Sequence, residues 1–316
     1  MILCVAASPS VDKLFEVDAV EPGRIHRPRS FLQVPGGKGL NVVRAAHALG
    51  ADVVATGLLA GHAGRWVEEA LAADGVRGRF AWAGGETRAS LSVADDTDLG
   101  LTEFYERGTD VGAAGWARLE AVVKELMPEA SWMTVSGNLP VGAPADGYAR
   151  LIAAAGEAGI RSALDSRDEA LALGVAAGPT VVKVNAEEAA TLLGRDAGSL
   201  EDARTAALDV LAMIGSGDRT AIVTRGADGA VVATGSGGVL RGRLYAWGRY
   251  PVGSGDAFLA GFVTALDAGQ SPRDALCLAL GAGAANAEMP GAGRLDAARA
   301  RELASRAEVD QIAAPL

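Results

Sequence analysis

Val252-Gly253-Ser254-Gly255-Asp256-Ala257-Phe258-Leu259-Ala260-Gly261 runs from a glycine-rich turn into an apolar helix without a break. Two glycines allow a tight bend in which successive N–H groups point at one spot, the first turn of the helix that follows. The partial positive charge of a helix N-terminus suits that spot to an anion. A carboxylate, Asp256, stands in the same turn. It can cap the helix, as Ser254 can. Alternatively, it can take a proton from a hydroxyl while the N–H groups of Gly253, Ser254 and Gly255 hold a phosphoryl group in transit.

A second stretch bears on that choice. Pro35-Gly36-Gly37-Lys38-Gly39-Leu40-Asn41 is followed by Val42, Val43, Ala45, Ala46 and Leu49 at helical spacing. Three glycines around a lysine permit close backbone approach to a ligand, with an ammonium and an amide to grip it. The stretch is not a P-loop, which keeps four residues between its first glycine and Gly-Lys-Ser/Thr.

Around these two stretches, strand-like apolar runs alternate with helix-like segments through most of the 316 residues. That pattern predicts one α/β domain over 1–316 with a mainly parallel sheet. Segments 52–59, 132–135, 160–164, 180–184 and 220–224 read as buried strands, continued by 230–234 and 239–245. The last third reads as helical, at 254–268, 272–288 and 295–307. Strand-like segments that no helix follows, within about 13–34 and 79–107, predict a small second sheet over the site. Polar groups fall at four successive strand ends, Ser136, Asp165, Lys183 and Thr224, where open α/β sheets bind ligands.

A net charge of −10 argues against nucleic acid and anionic membranes as partners. Local cations can still hold a phosphorylated small molecule. No apolar run approaches the roughly 20 residues of a membrane-spanning helix. Met1-Ile2-Leu3-Cys4 has no basic leader and reads as a first strand. Cys4 and Cys277 lie far apart and read as reduced thiols, so a cytoplasmic protein is expected. His26, His47 and His62 show neither metal-ligand nor triad spacing.

The pair G-G-K-G-x-N early and V-G-x-G-D-x-F late resembles the PfkB/ribokinase family of carbohydrate kinases. That resemblance implies a ribokinase-like three-layer α/β/α sandwich with a small β lid, which in the family covers the sugar and often forms a homodimer contact. It implies phosphoryl transfer from ATP, with Asp256 as base and Gly253, Ser254 and Gly255 as anion hole. Asp12, Gly36, Gly37, Lys38 and Asn41 would bind the sugar, although an Asx-turn also accounts for Asp12. Asn185 and Glu188 match N-x-x-E, which would support Mg2+ through water. An Asn cap with Glu at N3 explains the same pair.

By the same resemblance Lys183 would meet ATP phosphates, and Thr224, Gly226 and Gly229 would line the nucleotide. Gly281, Gly283 and Asn286, then Gly291-Ala292-Gly293, resemble the elements that hold adenine; small-residue helix packing is the other explanation. Thr87-Arg88 and Ser136-Gly137-Asn138-Leu139-Pro140 are most like the fructose-1-phosphate and tagatose-6-phosphate kinases. Arg88, with Arg107 and Arg27 behind it, would fork onto the substrate phosphate, and Ser136 would join the substrate loop. The chain departs from that branch at 102–108 and at Asp165-Ser166-Arg167-Asp168, both on the substrate side. Tyr250-Pro251 replaces the family's Asn/Asp-Thr and argues against a monovalent-cation site. The competing readings are a kinase for an unphosphorylated sugar or nucleoside, and a non-catalytic sensor of sugar phosphate and nucleotide. A dinucleotide oxidoreductase would need G-x-G-x-x-G after the first strand, which is missing.

Overall fold

A computed structural model describes residues 1–96, 101–215 and 217–312. Its first strand, β1 (Ile2–Ala6), shows why the chain builds three layers. Ile2, Cys4 and Ala6 turn to one apolar cluster, Leu3 and Val5 to the other. Successive strand residues face opposite sides, so an unbroken apolar run needs cover on both.

The chain leaves β1 through β2 (Ser10–Glu16) and β3 (Ser30–Gly36), forms α1 (Lys38–Ala48) and returns as β4 (Val53–Ala60). Helix α2 (Gly61–Ala73) crosses to two short strands, β5 (Arg77–Gly78) and β6 (Ala81–Ala83). A second excursion makes β7 (Ala89–Ala94) and β8 (Leu101–Tyr105). Regular alternation follows with α3 (Gly112–Leu126), β9 (Trp132–Ser136), α4 (Gly147–Glu157), β10 (Arg161–Asp165), α5 (Asp168–Ala176) and β11 (Val181–Asn185). The pair α6 (Ala186–Leu193) and α7 (Leu200–Ile214) precedes β12 (Thr220–Thr224), β13 (Ala230–Thr234) and β14 (Val239–Arg243). The chain ends with α8 (Ser254–Asp267), α9 (Pro272–Ala287), α10 (Ala297–Ala304) and β15 (Glu308–Ile312).

The main sheet has the order β15-β14-β13-β12-β11-β10-β9-β1-β4-β5, with β6 also paired to β4. It is parallel from β12 to β5 and antiparallel from β12 to β15. Leu40, Val67, Phe262, Leu276 and Leu303 pack helices α1, α2, α8, α9 and α10 on one face. Trp116, Tyr148, Val175 and Val210 pack α3, α4, α5 and α7 on the other. This is the expected sandwich. The second sheet has the order β3-β2-β7-β8, and only its β2–β7 pairing is parallel.

Three expectations need correction. Segment 79–83, expected in the small sheet, belongs to the main one, where Leu58, Leu59 and Ala60 pair with Ala81, Trp82 and Ala83. Helix α2 is the crossover that parallel neighbours require. Strand β2 starts at Ser10, so Asp12 stands on the small sheet itself, opposite Val34. The wholly helical reading of the last third missed β15, an antiparallel edge that buries only Val309. Residues 97–100, within the expected 79–107 span, lie outside the described residues.

Candidate active site

Between the C-terminal ends of β1, β9, β10, β11 and β12 and the small sheet lies a cavity of about 1050 Å³. Helix α8 begins at its wall. Gly253, the N-cap, has φ +83°, and a Cβ there would lie 2.7 Å from Ala292. Only glycine closes the turn at this spacing. The N–H of Ser254 donates to Pro251 O at 3.1 Å, whereas those of Gly253, Gly255 and Asp256 have no acceptor among the described residues. Open amides thus come from Gly253, Gly255 and Asp256. The Ser254 N–H, expected among them, is engaged because the turn 251–254 closes on its own hydrogen bond.

Asp256 is only 5% exposed, and Asn41 Nδ2 donates to its Oδ2 at 2.8 Å. Burial first, and then the nearby Asp165 carboxylate, push its pKa up to about 7, against the pull of Lys38, Lys183 and Asn41. A carboxylate so poised can take and release a proton near neutrality.

Asp165 ends β10 fully buried, with one lysine on each oxygen. Lys38 Nζ lies 3.0 Å from Oδ1 and Lys183 Nζ 2.7 Å from Oδ2. Burial alone would lower the Lys38 pKa, but Asp165, Glu188 and Asp256 together raise it, so the ammonium stays charged. A Cβ on Gly255 would lie 3.1 Å from Lys183 Nζ, which sets that cation directly against the turn.

Asn185 and Glu188 form a capping box. Asn185 Oδ1 accepts from the Glu188 N–H and Glu188 Oε2 from the Asn185 N–H, each at 2.8 Å. Glu188 Oε1 remains, and Lys38 Nζ meets it at 3.2 Å. Among the described residues no three His, Cys, Asp or Glu side chains converge as a metal-holding group. This donor set suits a magnesium ion that brings its own water and phosphate ligands, not one caged by protein.

On the small-sheet side, Asp12 accepts from Ser10 Oγ at 2.5 Å and from the Gly37 N–H at 3.4 Å. A Cβ on Gly36 would overlap the Asp12 carboxylate, and one on Gly37, with φ +86°, would lie 2.8 Å from Ser8 O. Gly36 therefore makes room for the acid and does not line the cavity, whereas Gly37 does. Arg88 faces the cavity, donating to Ser90 Oγ at 3.0 Å and, at 3.4 Å, to both Ser8 Oγ and Ser8 O. No carboxylate pairs with it among the described residues, and burial lowers its pKa. Arg107 lines the cavity; Arg27 is exposed away from it. Thr224, Gly226, Gly229 and Gly283 line the opposite end.

Two further expected contact residues, besides Gly36 and Arg27, lie off the cavity. Ser136 is buried off the cavity and its Oγ has no hydrogen-bond partner; Asn138, two residues on, lines the wall instead. Asn286 is fully buried behind the α8 turn, because segments 250–254 and 291–293 fold over it. Two residues hold the site together in ways the sequence did not show. Asp165 was marked only by an acid ending a buried strand. Arg44, an arginine within an apolar helix, donates through Nη1 to Pro35 O at 3.1 Å and Ala292 O at 2.7 Å. It pins the Gly36-Gly37 turn to the 291–293 loop.

A family model described as pfkB family carbohydrate kinase matches residues 5–298. A 1-phosphofructokinase from Rhodobacter capsulatus is 33% identical over 286 residues, covering 89% of this chain and 90% of that protein. One from Haloferax volcanii is 34% identical over 278 residues, 87% of each. The crystal structure of phosphofructokinase-2 from Escherichia coli in complex with potassium superposes with a TM-score of 0.88 at 25% identity, covering 96% of this chain and 98% of that one. A match this long, on a fold and cavity of this kind, makes the chain a member of the pfkB family of carbohydrate kinases.

Proposed function

We propose that the chain transfers the γ-phosphoryl group of ATP to a hydroxyl of a sugar phosphate of the fructose-1-phosphate type. The observation that carries this reading is the α8 turn, where a buried carboxylate near neutrality adjoins three open amides. Asp256 takes the proton of the acceptor hydroxyl as its oxygen bonds to the γ-phosphorus. The bond from that phosphorus to the β-phosphate oxygen breaks, and ADP leaves. The N–H groups of Gly253, Gly255 and Asp256 receive the charge on the moving phosphoryl oxygens, and Lys183 stands beside them. Mg2+ would neutralise phosphate charge, held through water by Glu188.

Asp12, Lys38 and Asn41 orient the acceptor, and Arg88, free of any carboxylate partner among the described residues, takes its phosphate. The nucleotide occupies the end lined by Thr224, Gly226, Gly229 and Gly283. Its phosphates reach Lys183 and Asn185. No helix among the described residues is long and apolar enough to cross a membrane. A cytoplasmic setting, where ATP and sugar phosphates occur, belongs to this proposal.

An ADP-release assay tests it on fructose-1-phosphate, fructose-6-phosphate and tagatose-6-phosphate beside fructose, ribose and adenosine. Turnover should be largest with a phosphorylated ketose. Greater turnover with an unphosphorylated acceptor overturns the substrate class, and none with any acceptor overturns the activity.

A further inference from the structure

We infer that the side-chain hydroxyl of Ser254 is a catalytic hydrogen-bond donor to the phosphoryl group in transfer, with Asn286 as the positioning residue that sets its direction. The inference rests on the kinase reading above and adds a donor from a side chain where the main chain cannot supply one.

Asn286 has no freedom in how it places its amide. Its Oδ1 lies 2.8 Å from the Gly293 nitrogen, which can only donate. Its Nδ2 lies 3.0 Å from Val252 O and 3.5 Å from Tyr250 O, which can only accept. These fixed partners determine which end is oxygen, with no appeal to Ser254. Nδ2 also lies 3.2 Å from Ser254 Oγ, and an amide nitrogen only donates. Its two hydrogens serve the two nearer acceptors, Val252 O and Ser254 Oγ, with Tyr250 O at the outer limit, so Ser254 Oγ is the acceptor in that contact.

Its own hydrogen must then point elsewhere. No described residue accepts it, while Ser254 lines the cavity between Gly253 and Gly255, whose N–H groups are open. The Ser254 N–H is engaged by Pro251 O, so the hydroxyl is what this residue has to offer an anion. A donor oriented before substrate arrives needs no reorganisation during the reaction. No proton is transferred: the hydroxyl donates a hydrogen bond that strengthens as charge builds on the phosphoryl oxygens.

Steady-state kinetics of a double-mutant cycle test the inference. Ser254→Ala should lower kcat about tenfold while KM for ATP and for sugar phosphate change less than about twofold, because the bond strengthens in the transition state. Ser254→Thr keeps the hydroxyl and should restore most of the loss. Asn286→Asp turns the positioning donor into an acceptor that draws the hydroxyl back. It should cost several-fold more in kcat with Ser254 present than in the Ser254→Ala background. Wild-type kcat in Ser254→Ala overturns the inference, as does an equal cost of Asn286→Asp in both backgrounds. Absence of ADP release from the unmodified enzyme would instead overturn the kinase reading itself, and this inference with it.

Discussion

Two clusters of charge, one on the floor of the cavity and one that reaches it only through Tyr250, differ in almost everything but their composition. At its floor, Lys38, Lys183, Asp165 and Asp256 are packed among strand ends, and Asp165 and Asp256 are no more than 5% exposed. At its rim, Arg29 meets Asp18 at 3.2 Å and Asp96 at 2.8 Å, and Arg249 shares Asp96 at 3.0 Å. Beside them Tyr250 Oη donates to Glu16 Oε1 at 2.5 Å. Asp165, Asp256 and Lys183 are buried on the floor, so each charge there depends on its partners and shifts their proton affinities. The rim keeps water, and its pairs are screened by salt. The floor holds the groups proposed to react, and adjustable contact between the small sheet and the α8 turn belongs on the rim.

Removing the carboxylate proposed as base is the severest way to break the floor. Asp256→Asn should lower kcat about a thousandfold, with ATP affinity by calorimetry nearly unchanged. The unmodified enzyme gives a matching pH signature. Asp256 must be ionised to act as base, and burial holds its pKa at about 7. The rate should therefore fall as pH drops below about 7, not near 4 as for an ordinary aspartate. A flat kcat/KM profile from pH 8 to 5 would remove Asp256 from that role.

Asp165→Asn comes next. It leaves the buried Lys183 without its carboxylate and the half-buried Lys38 with Glu188 alone, and should destabilise the fold by about 3–5 kcal/mol in urea titrations. It also deletes the negative neighbour that raises Asp256, so the acidic limb of the rate profile should move to lower pH. Loss of stability with an unmoved limb would reduce Asp165 to a packing role.

Arg88→Glu acts on a guanidinium that serine oxygens hold and that forms no ion pair with a described carboxylate. KM for the phosphorylated acceptor should rise about a hundredfold, since a charge-assisted bidentate contact becomes a repulsion. KM for ATP should stay within about twofold. A parallel rise in both would mean that Arg88 supports the small sheet and does not read the phosphate.

The floor was only half legible in the sequence. Its glycines were readable because the turn before α8 and the turn before α1 are local: glycine placement and helical spacing suffice. Asp165 was not, since its bond to Lys38 joins residues 127 apart and needs the sheet order. Asn286 was misplaced for a related reason. A polar residue on a small-residue helix looks like a ligand contact until the loops that cover it are folded. Segment 79–83 falls in the main sheet because its crossover helix, α2, precedes it, whereas the sequence reading looked for a helix after it.

The rim yields the smallest effect and the sharpest contrast. Arg249→Ala removes one of two arginines from Asp96 on the segment leading into the α8 turn, and Asp96 keeps Arg29. Asp96 is 45% exposed in its side chain, so the loss of stability should be small and vanish in 1 M salt. Its functional trace should be an increase of a few-fold in ATP hydrolysis without acceptor, because the small sheet is held less firmly over the cavity and admits water. High salt should raise that hydrolysis in the unmodified enzyme and add little in the variant. A destabilisation as large as that of Asp165→Asn, insensitive to salt, would show that the rim is built like the floor.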